Sequence, residues 1–325
     1  MGGPDLARRI LITGVANFWG TGLARALLAD PAVERVVGID TRTPPSGVAS
    51  QITLLDVDLR TPQLRTLIRA TAVDTIVHTD IPQFPEPGRA ARQLHDLTVM
   101  GTLSLLAAAG DLPTLRTLVV RGSASIYGSE PAAPAFLSEE MALRPGATRF
   151  QRDLGEIEKL AEGLARRRPD VVCTVLRAQP VIGARLDTPI TRLLRAPVVP
   201  VMLGFDPRVQ VLHEDDSIAV LHRAVHHPVR GAVNVAGAGT ISLNAAIRRM
   251  GRPAVPVPHP LFGTVAGAAR RLGLPPMSDD TVRYLRYGRG VATDRMTEEL
   301  GFTPRYDTPG AIDAVAADLR KAAVA

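Results

Sequence analysis

Cysteine, lysine and aromatic side chains are scarce in this 325-residue chain: one Cys, two Lys and 4% aromatics. One thiol cannot form an internal disulfide. Cys173 lies inside the apolar run Val171-Val172-Cys173-Thr174-Val175-Leu176, so it reads as a buried strand residue in a reducing compartment. No uninterrupted apolar stretch approaches a membrane span, and no apolar segment with a small-residue cleavage site follows Arg8 and Arg9. These absences predict a cytoplasmic protein with no membrane partner. Lys and Arg outnumber Asp and Glu by 38 to 32, but the arginines are scattered among acids and form no basic arm. The densest run, Arg166-Arg167-Arg168, ends a helical pattern before Pro169, where cations complement the helix dipole. Nucleic acid is therefore not expected as a partner, and a small polyanionic ligand suits the charge better.

Residues 9–40 carry the clearest pattern. The apolar run Ile10-Leu11-Ile12 is followed by Thr13-Gly14-Val15-Ala16-Asn17-Phe18-Trp19-Gly20, a helical stretch, and a second apolar run ending in Asp40. This order is strand, glycine turn, helix, strand, carboxylate. Gly14 permits a tight turn, Gly20 allows close helix packing, and the helix N-terminus offers amides to a pyrophosphate. A carboxylate at Asp40 can accept from both ribose hydroxyls and would repel a 2′-phosphate, which favours NAD over NADP. Asn17 stands where the pattern expects its middle glycine. Asn tolerates a left-handed backbone, so the turn is expected to survive, with the side chain in space a phosphate would use.

Apolar and helical segments alternate up to about residue 180. Strands are expected at 9–13, 35–39, 52–55, 74–78, 116–121 and 171–176, and helices at 20–30, 61–71, 89–109 and 150–167. The pattern predicts an α/β fold: a doubly wound parallel Rossmann sheet over 1–180, with a smaller C-terminal substrate-binding lobe over 181–325 that returns some segments to the sheet. Prolines 189, 197, 200 and 207 break the start of that lobe, before a helix at 216–226, a strand at 232–235, and helices from Ser242 and near 309–322. His78, on an apolar strand, reads as a satisfied core histidine. The acids after His213 read as caps of the next helix, and His222 and His226, though four apart, lack the glutamate of a metalloprotease pattern, so no metal is expected.

Several short motifs in order resemble the extended short-chain dehydrogenase/reductase superfamily, in its NAD-dependent epimerase/dehydratase branch akin to UDP-glucose 4-epimerase. They are the loop from Gly14 to Gly20, Asp56-Val57-Asp58-Leu59, Val73 through His78, Ser123-Ala124-Ser125-Ile126-Tyr127-Gly128, Leu176-Arg177 through Gly183, Leu212 through Asp216, Asn234 through Gly237, and Leu300-Gly301-Phe302-Thr303-Pro304. The resemblance implies that Gly14, Asn17, Phe18, Trp19, Gly20, Asp40, Arg42, Asp58, Leu59, Asp80 and Thr98 surround an NAD. It implies a nucleotide sugar or similar polar substrate, and a homodimer through the helices at 89–109 and 150–167. Asp80 occupies a place where small residues usually admit the phosphates, and it needs solvation or a partner such as Arg42 or Arg121.

In that family a Tyr-x-x-x-Lys pair on a helix and a Ser or Thr from the preceding strand carry the chemistry. Ser123 matches the hydroxyl. Phe150 and Leu154 occupy the Tyr and Lys positions, and no Tyr-x-x-x-Lys occurs anywhere in the chain. Neither side chain can move a proton. Two readings follow. One is an NAD-linked epimerase/dehydratase-type protein whose proton donor is Ser123, Tyr127, Asp153 or the substrate. The other is a non-catalytic NAD(P)-binding regulatory or sensor protein.

Overall fold

A computed structural model describes residues 8–82, 91–143, 146, 148–258 and 277–324. The main elements run β1 (Arg8–Thr13), α1 (Phe18–Leu28), β2 (Val33–Asp40), β3 (Thr53–Asp56), α2 (Leu64–Thr71), β4 (Thr75–His78), α3 (Gly101–Gly110), β5 (Thr117–Ser123), α4 (Arg149–Arg167), β6 (Val172–Ala178), α5 (Glu214–His226) and β7 (Gly231–Val235). The seven strands form one sheet in the order β7-β6-β5-β4-β1-β2-β3, and every pairing is parallel. This is the expected Rossmann-type α/β sheet. Its order reverses between β1 and β4, so a crevice opens at the carboxyl ends of those strands.

Alternation along the strands builds two apolar layers. Leu11, Ile76, Leu118 and Val120 face one side with Leu64 and Ile68 of α2, Leu105 of α3 and Ile157 of α4. Ile10, Ile12, Val77 and Val119 face the other with Leu23 and Leu27 of α1 and Val220 and Ala224 of α5. Gly22 brings α1 and α5 close: a Cβ there would lie 2.4 Å from Ile218 Cδ1. A third apolar cluster holds the C-terminal lobe together, with Ile190, Leu193, Val199, Leu243, Ile247, Tyr284, Ile312 and Val315. Within residues 181–325, α5 and β7 belong to the Rossmann layers.

Some expected boundaries moved. The start of the helix expected at 89 lies outside the described residues. From Ala91 that helix holds a π segment, Asp96–Met100, before α3. Pro189 opens the helix Pro189–Arg195 instead of breaking the chain, because a proline at the first helical position loses no hydrogen bond, and Thr188 caps it. Pro200 and Pro256 lie in a two-stranded parallel ladder, Val199–Met202 with Ala254–Val257, where each strand keeps an open edge. The helix Asp279–Tyr287, capped by Ser278, was not anticipated. Cys173 is buried in β6 as expected, and burial pushes its thiol up to about 11.

Candidate functional site

A cleft of about 430 Å³ lies at the carboxyl ends of β1, β2 and β4, bordered by Asn17, Trp19, Asp40, Arg42, Asp80, Leu94, Thr98 and Arg121. Gly14 turns the chain out of β1 with φ +68, and Gly20 packs so tightly on that turn that a Cβ would lie 2.1 Å from Gly14 O. Asn17 differs from the sequence reading. Its backbone is extended (φ −79, ψ 170), and its side chain caps α1 by accepting from Gly20 N at 2.8 Å. Its Nδ2 donates to Thr79 O and Oγ1 at 3.3 and 3.2 Å. The side chain is folded into the hydrogen-bond framework of the loop. The first amides of a helix lack intrahelical acceptors, and with Gly20 satisfied those of Phe18 and Trp19 remain for an anion.

Asp40 closes the loop from the β2 side. One carboxylate oxygen accepts from Ala16 N and the other from Arg42 N, each at 3.0 Å, and the side chain is 7% exposed. Asp80 is exposed at the rim. Arg121, reaching from β5, donates to Thr79 O from Nε and Nη2 and stacks 4.0 Å from the Trp19 ring centre. Burial pulls its guanidinium down to about 9, opposed by the charge of Asp80. Trp19 is fixed from the other side by its Nε1–H, which donates to Ser217 Oγ at 3.1 Å. Thr98 lines the cleft, with its hydroxyl donated to Leu94 O. Asp58 is held by Arg60 through Nε, Nη2 and the amide, and Leu59 packs against Gly101; neither is among the described residues bordering the cleft. Beneath the loop His78 bridges Thr13 Oγ1 at 2.6 Å and Thr102 Oγ1 at 2.9 Å, the satisfied core histidine expected.

After β5 and along α4 the polar groups are committed to partners within the protein. Ser123 Oγ accepts from Ser125 N and shapes the turn after β5. The Tyr127 hydroxyl accepts from Arg177 Nη1 at 2.7 Å and donates to Asn234 Oδ1 at 2.9 Å, and burial pushes its pKa up. Arg177 is forked onto Glu158 of α4, with contacts of 2.9 and 2.6 Å and both side chains nearly sealed. Phe150 and Leu154 lie in the apolar layer with Ile126 and Ile157, at 6% and 3% exposure. One residue before Leu154, buried Asp153 meets His95 Nδ1 at 2.9 Å.

A second cleft, of about 440 Å³, lies between the turn after β5 and the C-terminal lobe and is bordered by Gly128, Arg208, Arg286 and Arg289. Arg289 donates to Gly128 O, Ser125 Oγ and Gln179 Oε1, all neutral, and stacks on Tyr284. Burial pulls it down to about 10, so a buried positive charge faces the Ser125 turn. Three guanidinium groups and two carboxylates, Glu130 and Asp206, border this cleft.

The profile of the NAD dependent epimerase/dehydratase family matches residues 10–236. The chain belongs to that family. An uncharacterized protein of Mycobacterium tuberculosis is 34% identical over 95% of this chain and 84% of its own length. Solved structures with the same fold include MoeE5 in complex with UDP-glucuronic acid and NAD (TM-score 0.72, 22% identity, 97% of this chain and 99% of that one). UDP-glucose 4-epimerase of Thermotoga maritima, with UDP-glucose, superposes with a TM-score of 0.74 at 16% identity over 97% and 99% of the two chains.

Against the family pattern, the structure brings together Asn17, Trp19, Asp40, Arg42, Asp80 and Thr98 and leaves Asp58 and Leu59 apart. Sequence reasoning offered Arg121 only as a partner for Asp80 and missed Arg289 and His95 as site residues. An arginine inside the apolar strand Leu118-Val119-Val120-Arg121 was the available signal for the first; Arg289 and His95 carry none, being defined by their partners. The acids after His213 also act differently from the expected caps. His213 itself caps α5 through Asp215 N, while Glu214 accepts from Ala184 N and Arg185 N and Asp216 from Arg305 N and Tyr306 N. No helix among the described residues is long and apolar enough to cross a membrane.

Proposed function

We propose that this member of the epimerase/dehydratase family binds NAD in preference to NADP, together with an anionic ligand of the nucleotide-sugar type, and acts as a ligand-responsive binding protein without tyrosine-driven hydride chemistry. The residues fit the cofactor. The folded-back Asn17 keeps its side chain in the loop's own hydrogen bonds, the amides of Phe18 and Trp19 can meet a pyrophosphate, Arg121 supplies positive charge beside Asp80, and Asp40 ends β2 as a ribose acceptor. A bound NAD would supply a hydride acceptor; this chain's residues hold and orient it. Arg208, Arg286 and Arg289 support a diphosphate in the second cleft. MoeE5, of the same fold, holds NAD and a UDP-sugar together.

The observation that carries the reading is the burial of Phe150 and Leu154 in the core where the family's proton relay would stand. A second reading keeps chemistry and rests on the His95–Asp153 contact beside Leu154, an acid/base pair of ordinary geometry. Homodimerisation through α3 and α4 is part of the proposal. Met100 and Leu103, 43% and 41% exposed, give that face an apolar strip.

The test combines binding and turnover. Trp19 is the sole tryptophan and borders the cleft, so NAD titration should change its emission, with NADP weaker. UDP-glucose and UDP-glucuronic acid should then alter the NAD titration while no reduced cofactor accumulates and no sugar product forms. Turnover that is abolished by His95→Gln would replace the first reading with the second. Absence of any nucleotide response, checked by calorimetry, would remove both.

A further inference from the structure

At the opposite end of the sheet from the clefts, three ligand-type side chains converge. Asp30 follows the end of α1, and its Oδ1 is pinned by Ala32 N at 2.9 Å. Its Oδ2 lies 2.9 Å from His222 Nε2 and 2.9 Å from His226 Nε2, both on α5. Residues four apart on a helix share one face, so the two imidazoles stand one turn apart with ring centres separated by 4.8 Å. The sequence spacing alone offered no third ligand. The fold supplies it from just past the end of α1, because Gly22 lets α5 approach closely at Ile218.

We propose that Asp30, His222 and His226 form a binding site for a divalent first-row transition ion, Zn²⁺ by ligand type, that clips the end of α1 to α5. The three ligand atoms lie within 4.8 Å of one another. Imidazole nitrogens and a carboxylate oxygen bind zinc at about 2.0–2.2 Å, so a tetrahedral ion holds its ligand atoms roughly 3.3 Å apart, and the 2.9 Å contacts need open only by a few tenths of an ångström. His226 Nε2 is the second pointer. It is buried and lies 2.9 Å from Asp30 Oδ2 off ideal hydrogen-bond geometry, so the two meet as an ion pair. A carboxylate and two imidazoles leave coordination positions for water, and a shallow surface depression beside His222, walled by Ala26, Ala29 and Ile218, provides access. Arg8, at the start of β1, donates to His226 O and is the cation that opposes the site. The distance from both clefts makes its role structural.

Full-length protein stripped with a chelator should bind Zn²⁺ saturably, one ion per chain, in competition with a chromophoric chelator, and its thermal midpoint should rise. Loss of a group that hydrogen-bonds a metal ligand typically costs 10–100-fold in metal affinity, so losing a direct ligand through His226→Gln or Asp30→Asn should weaken binding at least about tenfold. His227→Gln, outside the triad, should leave it unchanged. His95→Gln should too, which separates this site from the His95, Asp153 and Glu156 group. Co²⁺ loaded into the unmodified protein should give visible ligand-field bands, a readout that needs no variant to fold. Absence of saturable binding, absence of those bands, indifference to His226→Gln, or loss of binding in His95→Gln would each overturn the site.

Discussion

The loop after β1 and the first turns of α4 both depart from the family pattern, one by gaining a polar side chain and the other by losing two. At the loop, Asn17 replaces a glycine and its polar atoms are all employed: Oδ1 caps Gly20 and Nδ2 reaches Thr79. On α4, Phe150 and Leu154 replace a tyrosine and a lysine and are absorbed by burial among Ile126 and Ile157. A polar replacement near a helix N-terminus can be satisfied by local donors and leaves the surface open. An apolar replacement on a helix facing the sheet closes over whatever the older groups addressed. The two regions therefore differ: the loop borders a cleft, and the start of α4 is core.

The strongest way to break this contrast is to put charge back. Leu154→Lys places an ammonium at a position 3% exposed in the apolar layer and should destabilise the fold by roughly 3–5 kcal/mol in urea unfolding. Unchanged stability would mean that the start of α4 is open and the relay recoverable. Phe150→Tyr should cost less, because only one hydroxyl enters the core. The double substitution is thus a poor route to restored activity, since its stability loss would precede any gain.

His78 belongs to the polar layer under the loop. Burial, with the nearby charge of Arg121 adding to it, pulls His78 down to about 3, whereas an unfolded histidine titrates near 6.5. Between these values the unfolded chain binds the extra proton. The stabilisation is therefore complete above about 6.5 and is lost as pH falls toward 3. Urea midpoints should drop from pH 7 to pH 4.5, and His78→Gln should flatten that slope by up to about 1.4 kcal/mol per pH unit. Equal slopes in the two proteins would show that water reaches this layer.

The strands were legible because a parallel sheet covered on both faces needs continuous apolar runs, as in Ile10-Leu11-Ile12 and Leu118-Val119-Val120. The glycine turn was legible because φ +68 at Gly14 strongly favours glycine. Site features set by long-range partners were not. Nothing local to Tyr127 shows that Arg177 and Asn234, fifty or more residues away, hold its hydroxyl. The π segment before α3 was hidden for the same reason, since helical periodicity does not register one altered turn.

Asp40 sharpens the comparison at intermediate size. Asp40→Ala strands the amides of Ala16 and Arg42 and removes the ribose acceptor, so stability should fall by about 1–2 kcal/mol and NAD affinity at least tenfold by Trp19 titration. Asp40→Asn keeps an acceptor and removes the charge, so it should narrow the gap between NAD and NADP more than it lowers stability. An unchanged gap would mean that another group reads the ribose.

The smallest effect belongs to Asn17. Replacing it with glycine restores the family's loop composition, but the present side chain is already folded into the cap and against Thr79. Glycine caps helices nearly as well as asparagine, so the loss should be only a few tenths of a kcal/mol, with slightly more from the Thr79 contacts. If the side chain lies clear of the phosphates, as its hydrogen bonds to the protein require, NAD affinity in Asn17→Gly should stay within about threefold of the parent protein, on the order of 0.6 kcal/mol. A tenfold gain would show that Asn17 obstructs the cofactor and that the loop, like α4, has moved away from ligand contact.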